Sequence, residues 1–225
     1  MQLHNRQLLG GINAGTVITD TTEKEPMQSE LDQHVIELFH STIDLTMASL
    51  DSLATVISDS GELLAQCLLS DNKILCCGDG QYGALAQIFC SNLVNRFDYE
   101  RPGLPAIALS VDATTITAIA ADGGFSEIFA KQIRALGQAG DILLVLSAGA
   151  GSSSTLQAIQ AAHDREMIVI SLCDQSSSDI AAIIQPEDIE INIPSTNRAR
   201  ILEVQLQTIN YLCELVDRQL FGSVD

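Results

Sequence analysis

The stretch KILCCGDGQYG, residues 73–83, runs from an apolar segment straight into a glycine-rich turn. The apolar segment KILCC predicts a buried strand, and the spacing G-x-G-x-x-G predicts a tight turn that opens a helix. Dinucleotide-binding turns share this spacing, but they also need an acid at the end of the second strand to hold the ribose. Asp98 and Glu100 precede the second apolar segment instead of ending it. The turn therefore has the spacing of a dinucleotide-binding loop but lacks its context.

Apolar segments and helical patterns alternate through the rest of the chain. The predicted strands are residues 73–77, 105–110, 141–147, 167–173 and 188–193. The predicted helices are residues 82–96, 114–136 with an interruption near Asp122, 152–164, 176–184 and 198–220. Continuous apolar strands separated by helices indicate a parallel sheet that is covered on both faces. We predict an α/β fold, a three-layer α-β-α sandwich around a five-stranded parallel sheet, with ligands at the carboxyl ends of the strands.

The N-terminal third has a different pattern. Residues 1–28 show no apolar period and predict a disordered extension, with residues 29–225 forming a single domain. Apolar side chains then recur every three or four residues from Ile36 to Leu68, which predicts helices that pack in an oligomer. The polar sequence SDSG at residues 58–61 predicts a break between two such helices. Met27 is an alternative start to Met1.

Composition excludes several classes of function. The net charge is −18, from 29 acidic and 11 basic residues, and such a field repels nucleic acid phosphates while tolerating a basic protein partner. No apolar segment approaches the length of a membrane span, and the N-terminus lacks a secretory signal, so we expect a cytoplasmic protein without membrane contact. The six cysteines form no C-x-x-C pair, which predicts neither a metal site nor a disulfide framework. We expect no cofactor.

A second loop, LSAGAGSSST at residues 146–155, follows the third strand and leads into a helix. Serine and glycine at a helix N-terminus offer free N–H groups and hydroxyls, which suit a bound anion. Alternatively, Ser152 is only the N-cap of the helix. Both interpretations remain open, since the loop contains no Lys or Arg.

Both loops and several longer segments resemble the SIS (sugar isomerase) domain family, in its phosphoheptose isomerase branch. The resemblance covers residues 27–222 and rests on KILCCGDG, NRFDYERPGLPAIAL, the segment at residues 117–147, EDIEINIPS, ARILEVQ and RQLFG. It implies a homotetramer in which the two loops bind a sugar phosphate. The ligand residues that it implies are Asp79, Gly80, Gln81, Tyr82, Asp112, Ser147, Gly149 and Ser152. For Asp112, capping of the following helix is an equal alternative.

This chain departs from the family pattern in both loops. Asp79 stands where the isomerases have Asn, and Tyr82 stands where they have Ser, so a negative charge lies beside the expected phosphate. Ala148 and Gly149 replace two hydroxyl-bearing residues of the second loop. Each lost charge-assisted hydrogen bond weakens phosphate binding by about 1.5–3 kcal/mol.

The family's acid and base positions are also changed. The isomerases resembled here use a Glu and a His where this chain has Asn92 and Asn210, and an amide does not exchange a proton near neutral pH. We therefore predict a non-catalytic adaptor similar to DiaA proteins, which bind the replication initiator DnaA. Leu220 and Phe221 are the candidate contact, unless they pack within the tetramer. The alternatives are a phosphoheptose isomerase that uses other groups, such as Asp112 or Glu203, and a sugar-phosphate sensor.

Overall fold

The computed structural model describes the backbone of residues 24–222 and the side chains of residues 29–222. The described residues fall into two units, residues 24–40 and residues 41–222. The second unit contains a five-stranded parallel sheet in the order β2-β1-β3-β4-β5. Its strands are β1 (Ile74–Cys77), β2 (Ala106–Ala108), β3 (Ile142–Leu146), β4 (Ile168–Asp174) and β5 (Ile189–Ile193). The predicted α/β fold is thereby confirmed.

Helices precede, separate and follow the strands. They are α1 (Lys24–Leu69), α2 (Gln81–Val94), α3 (Ala113–Gly123), α4 (Ala130–Leu136), α5 (Ser153–His163), α6 (Ser178–Ala181) and α7 (Arg198–Phe221). A single 3-10 turn, Phe125–Glu127, separates α3 from α4 among the described residues. The helical pattern of residues 114–136 is therefore interrupted at the predicted point, because Gly124 ends α3 with a positive φ of 87°.

Alternate side chains of the central strands enter two separate cores. Ile74, Cys76 and Leu144 face one core, which contains buried residues of α2 and α7. Leu75 and Val145 face the other core, which contains buried residues of α4 and α5. This alternation follows from the period of two in a strand, and it explains why both faces of the sheet are apolar. The sheet therefore lies between two helical layers, as predicted.

The predicted break in the first helix is wrong, because α1 runs without interruption through SDSG. Ser60 donates its hydroxyl to the carbonyl of Val56 at 2.7 Å, within the preceding turn of the helix. A Cβ on Gly61 would lie 2.7 Å from the Cβ of Leu215 on α7. The small residues therefore permit a close helix contact, and they do not terminate α1.

The start of α1 also differs from the sequence-based boundary. The helix begins at Lys24, so residues 24–28 are helical although they were predicted to belong to the disordered extension. Pro26 is tolerated there because the first N–H groups of a helix have no acceptor within the helix. The rest of the predicted extension, residues 1–23, lies outside the described residues. The single-domain assignment of residues 29–225 stays a prediction.

All six cysteines are buried and free of disulfide bonds. Burial raises the pKa of Cys67 to about 11, and it raises the pKa values of Cys173 and Cys213 to about 12. The thiolate is the reactive form of cysteine. These side chains are therefore protected from thiol reagents, because burial blocks access to them and because they remain protonated.

Cysteine reactivity is expected to report unfolding. In native protein at pH 8, a thiol-specific reagent such as dithionitrobenzoate should modify almost no cysteine within minutes, because the thiols are buried and protonated. In denaturant, all six should react. Absorbance of the released thiol product measures both rates. Rapid stoichiometric modification of the folded protein would contradict the burial of these side chains.

Candidate functional site

The loops after β1 and β3 lie side by side at the carboxyl edge of the sheet. Cys77 at the end of β1 is in register with Val145 near the end of β3, so the two following loops share one edge. A cavity of 430 Å³ lies between them. Six of the eight predicted ligand residues line it, namely Asp79, Gly80, Gln81, Tyr82, Ser147 and Ser152.

The first loop is shaped by its glycines. Gly78 is buried, and a Cβ there would lie 2.7 Å from the carbonyl oxygen of Leu146. Gly80 has a φ of 56° and a ψ of −121°, a conformation that strongly favours glycine. The ring of Tyr82 packs into the core, and its hydroxyl has no hydrogen-bond partner among the described residues. The aromatic ring therefore forms part of the cavity wall without filling the cavity.

Asp79 connects the first loop to the second. Its carboxylate accepts hydrogen bonds from the hydroxyl of Ser154, at 3.0 Å to Oδ1 and 2.8 Å to Oδ2. The hydroxyl of Ser152 also donates to Oδ2. Ser152 is the N-cap of α5 and accepts the backbone N–H of Thr155 at 3.1 Å. Ser152 is therefore the N-cap of α5, and its hydroxyl also contacts a carboxylate of the chain itself, whereas binding of a ligand anion by this loop stays a prediction.

The remaining part of the second loop is held from β4 and α7. Gly149 has a φ of 77° and donates its N–H to Asp174 Oδ2 at 2.6 Å, so its backbone faces β4 and not the cavity. Gln205, fully buried on α7, donates to the carbonyls of Ser147 at 2.7 Å and Leu172 at 3.0 Å. Sequence reasoning missed Asp174 and Gln205. The sequence offered only two signals for them: Asp174 stands at the end of a strand, and Gln205 stands on an apolar helix face.

Asp112 lies apart from these loops. Its carboxylate accepts the N–H groups of Thr114 at 3.0 Å and Thr115 at 3.1 Å, and so caps α3. The hydroxyl of Thr115 donates to it at 2.6 Å, and this bond, more than the backbone bonds, lowers the pKa of Asp112. Asp112 borders a different cavity, next to Ile107 and Ile119. The contacts of Asp112 in this chain are therefore those of a helix N-cap.

The two asparagines at the family's acid and base positions do not line the cavity. Asn92 is half-buried on α2, where its side chain hydrogen-bonds Cys213 and its carbonyl accepts from Arg101 at 2.8 Å. Asn210 is half-buried on α7. Glu203 accepts the hydroxyl of Thr42 at 2.9 Å and pairs with Arg200 at 2.9 Å.

Arg198 is a lining residue that sequence reasoning missed. It is the first residue of α7, directly after the N-cap Asn197, and it carries the positive charge among the described lining residues. Its position after β5 puts it at the same edge of the sheet as both loops. The ionisable side chains around the cavity are thus Asp79, Tyr82 and Arg198.

Comparison with known proteins identifies the family. Residues 38–174 match the model of the SIS domain family, and this segment includes both loops and strands β1 to β4. The chain belongs to the SIS domain family.

The relatives of this SIS domain include phosphoheptose isomerases. That of Chromohalobacter salexigens is 45% identical over 196 residues, covering 87% of this chain and 100% of the relative. That of Alkalilimnicola ehrlichii is 46% identical over 188 residues, covering 84% and 96%. The solved phosphoheptose isomerase of Francisella tularensis superimposes with a TM-score of 0.81 at 40% identity, covering 84% of this chain and 98% of that one. The predicted SIS family and its phosphoheptose isomerase branch are confirmed, whereas the predicted closeness to DiaA-type proteins is not shown.

The predicted role of this SIS domain as a non-catalytic DiaA-like adaptor of DnaA is wrong. It was inferred from Asn92 and Asn210, whereas these relatives match over nearly their whole length and are phosphoheptose isomerases. The proposed DnaA contact has local partners instead. Leu220 packs against the core, and the Arg101 guanidinium lies 5.9 Å from the centre of the Phe221 ring.

The described residues of this SIS domain contain neither a membrane-spanning helix nor a metal-binding cluster. No described helix has the length and apolar character needed to cross a membrane. Within the same residues, no group of three or more His, Cys, Asp and Glu side chains is arranged to hold a metal ion.

Proposed function

We propose that this SIS-domain chain is a phosphoheptose isomerase that binds its sugar phosphate in the cavity between the loops after β1 and β3. The observation that carries the proposal is 45% identity over the full length of a phosphoheptose isomerase. The cavity supports it, because ligands of open parallel sheets bind at the carboxyl ends of the strands. Its 430 Å³ lies within the usual range for small-molecule sites.

The reaction moves a proton between neighbouring carbons of the sugar, so it needs an acid and a base within hydrogen-bond reach. Asn92 and Asn210 supply neither, because an amide does not exchange a proton near neutral pH. We propose that residues of a neighbouring copy complete the cavity in a homotetramer. Exposed apolar side chains on α1 support this assembly, among them Ile43, Met47 and Leu50. Two of them line an apolar cavity of 460 Å³ beside α7.

A sugar-phosphate sensor, which binds the ligand without turning it over, is the second candidate function. The observation that favours it is again the pair Asn92 and Asn210. The two candidates share the cavity and the ligand, and they differ only in turnover.

The test measures turnover and binding in one preparation. The isomerase proposal expects conversion of sedoheptulose phosphate to the aldose, detected by NMR, together with binding detected by calorimetry. Binding without conversion at high protein concentration would favour the sensor. Absence of both would refute the two candidates together.

Replacement of Arg198 is expected to weaken sugar-phosphate binding by about tenfold or more, because a charge-assisted hydrogen bond to phosphate is worth about 1.5–3 kcal/mol. The variant is Arg198→Met, and calorimetry measures the dissociation constant. Arg134→Met is the matched control, since Arg134 pairs with Glu127 away from the cavity. Equal sugar-phosphate affinities of Arg198→Met and Arg134→Met would show that Arg198 does not bind the phosphate.

A further inference from the structure

The carboxylate of Asp79 lies where a helix N-terminus favours an anion. The N-terminus of α5 carries the positive end of the helix dipole, and its first N–H groups have no acceptor within the helix backbone. Two hydroxyls at this end of the helix, those of Ser152 and Ser154, are directed at the Asp79 carboxylate. The chain therefore supplies its own anion to the position that would otherwise receive one from a ligand.

Neither hydroxyl is readily released to a ligand. Ser154 is fully buried, so its proton has no access to water as an alternative partner. Ser152 is fixed by the capping box, in which its oxygen accepts the N–H of Thr155 while its own N–H donates to the Thr155 hydroxyl at 3.0 Å. Each serine hydroxyl has a single proton, and a proton donated to Asp79 is not available to a phosphate.

Charge acts in the same direction as the hydrogen bonds. Among the described residues that line the cavity, the negative charge of Asp79 offsets the positive charge of Arg198. A phosphate dianion that enters beside Ser154 meets a carboxylate at close range, and such a like-charge contact is unfavourable at any dielectric constant.

We propose that Asp79 determines ligand specificity in this cavity, because its carboxylate occupies the anion position at the N-terminus of α5 and a phosphate must displace it. The inference rests on the proposed function for the identity of the ligand. The backbone of Asp79 is held in the turn, where its carbonyl accepts the N–H of Tyr82 at 3.1 Å. Displacement therefore requires rotation of the side chain and loss of the bonds to both serines.

The proposal predicts that Asp79 weakens the phosphate affinity of the native protein. Asp79→Asn keeps an oxygen that accepts from Ser154 but removes the charge, and Asp79→Ala removes the acceptor altogether. Both variants should bind sedoheptulose phosphate and inorganic phosphate about tenfold more tightly than the native protein, or better. Unphosphorylated sedoheptulose should bind all three proteins equally.

Asp164→Asn is the matched control. Asp164 is exposed at the C-terminal end of α5, and its replacement removes one negative charge about 16 Å from the N-terminus of that helix. Phosphate affinity of this variant should equal that of the native protein. Circular dichroism and the midpoint of thermal unfolding, measured without ligand, confirm that each variant is folded.

Calorimetric titration with both phosphates separates the outcomes. Tighter phosphate binding by Asp79→Asn or Asp79→Ala, but not by Asp164→Asn, supports the role of Asp79. Unchanged or weaker binding by both Asp79 variants overturns it, and so does absence of measurable binding to them. Tighter binding without turnover in any variant leaves the role of Asp79 standing while the isomerase proposal fails. Turnover by the native protein, with no tighter phosphate binding by the Asp79 variants, supports the isomerase proposal and overturns the role of Asp79.

Discussion

Replacing Arg101 with Met is expected to lower the free energy of unfolding by about 3–5 kcal/mol, because it leaves a buried carboxylate without its cation. Arg101 Nε donates to Asp217 Oδ1 at 2.7 Å, and these side chains are only 1% and 2% exposed. The guanidinium also donates to the carbonyls of Leu93 and Asn92, each at 2.8 Å. Loss of Arg101 therefore removes one hydrogen-bond donor from each of two carbonyls as well as the partner of Asp217.

The loss of stability should depend on pH. Burial raises the pKa of Asp217 above its ordinary value, and Arg101 partly offsets this rise. Without Arg101 the pKa of Asp217 in the folded state rises further, so the folded variant binds a proton more tightly than the unfolded chain does. Stability of Arg101→Met then falls as the pH rises from the unfolded pKa through the folded pKa. The deficit should be larger at pH 8 than at pH 5.

Urea unfolding followed by circular dichroism measures both effects. Arg96→Met is the matched control, since Arg96 pairs with Glu100 in the same segment at 2.5 Å, with side chains 51% and 87% exposed. An exposed pair contributes at most about 1 kcal/mol. Similar losses of unfolding free energy in Arg101→Met and Arg96→Met would show that the buried pair contributes no more to stability than the exposed pair.

Gly78→Ala is expected to destabilise the fold by about 1–3 kcal/mol and to weaken ligand binding, because the added methyl group meets backbone on both sides. A Cβ at this position would lie 2.7 Å from the carbonyl oxygen of Leu146 and 2.9 Å from the carbonyl carbon of Tyr82. Leu146 ends β3 immediately before Ser147, so relief of the clash separates the two loops that border the cavity.

Gly123→Ala is the matched control for that variant. A Cβ there would come closest to Lys131 Nζ, at 3.1 Å, which is the far end of a flexible side chain, and Gly123 is the last residue of α3. Alanine in a helix is favoured over glycine by about 0.5–1 kcal/mol, so this change should be neutral or slightly stabilising. Urea unfolding and calorimetry with sedoheptulose phosphate check both variants. Native stability and affinity in Gly78→Ala would contradict the close approach of the loops.

Local pattern predicted the strands well because each consists of one short, continuous apolar segment. Strand β4, for example, was expected at residues 167–173 and is Ile168–Asp174. The same local reasoning was wrong at SDSG, where polarity and a glycine indicated a turn. There the approach of Leu215, from a helix more than 150 residues later, decides that Gly61 remains helical. Local propensity is a weak prior wherever a tertiary contact requires a small residue.

The same distinction between local pattern and tertiary contact applies to the residues of the site. The two loops were recognisable because glycine turns and helix caps depend on residues that are neighbours in the chain. Asp79 and Ser154 are 75 positions apart, and nothing in either loop indicates that one supplies the anion for the other. Asp174 reaches the loops from the end of β4, and Arg198 and Gln205 reach them from α7. The placement of these elements beside the loops follows from tertiary packing.

By itself, the sequence determined the parallel α/β architecture, the family and the edge of the sheet where the two glycine-rich loops lie, since these depend on periodicity and on short motifs. Only the tertiary structure decided that Asp79 accepts hydrogen bonds from Ser152 and Ser154, that Asp112 caps a different helix, and that Arg101 is buried against Asp217. The physical reason is that charge pairing and hydrogen bonding depend on distances of a few ångströms between groups far apart in the chain. Those distances exist only once the sheet has brought the ends of its strands together.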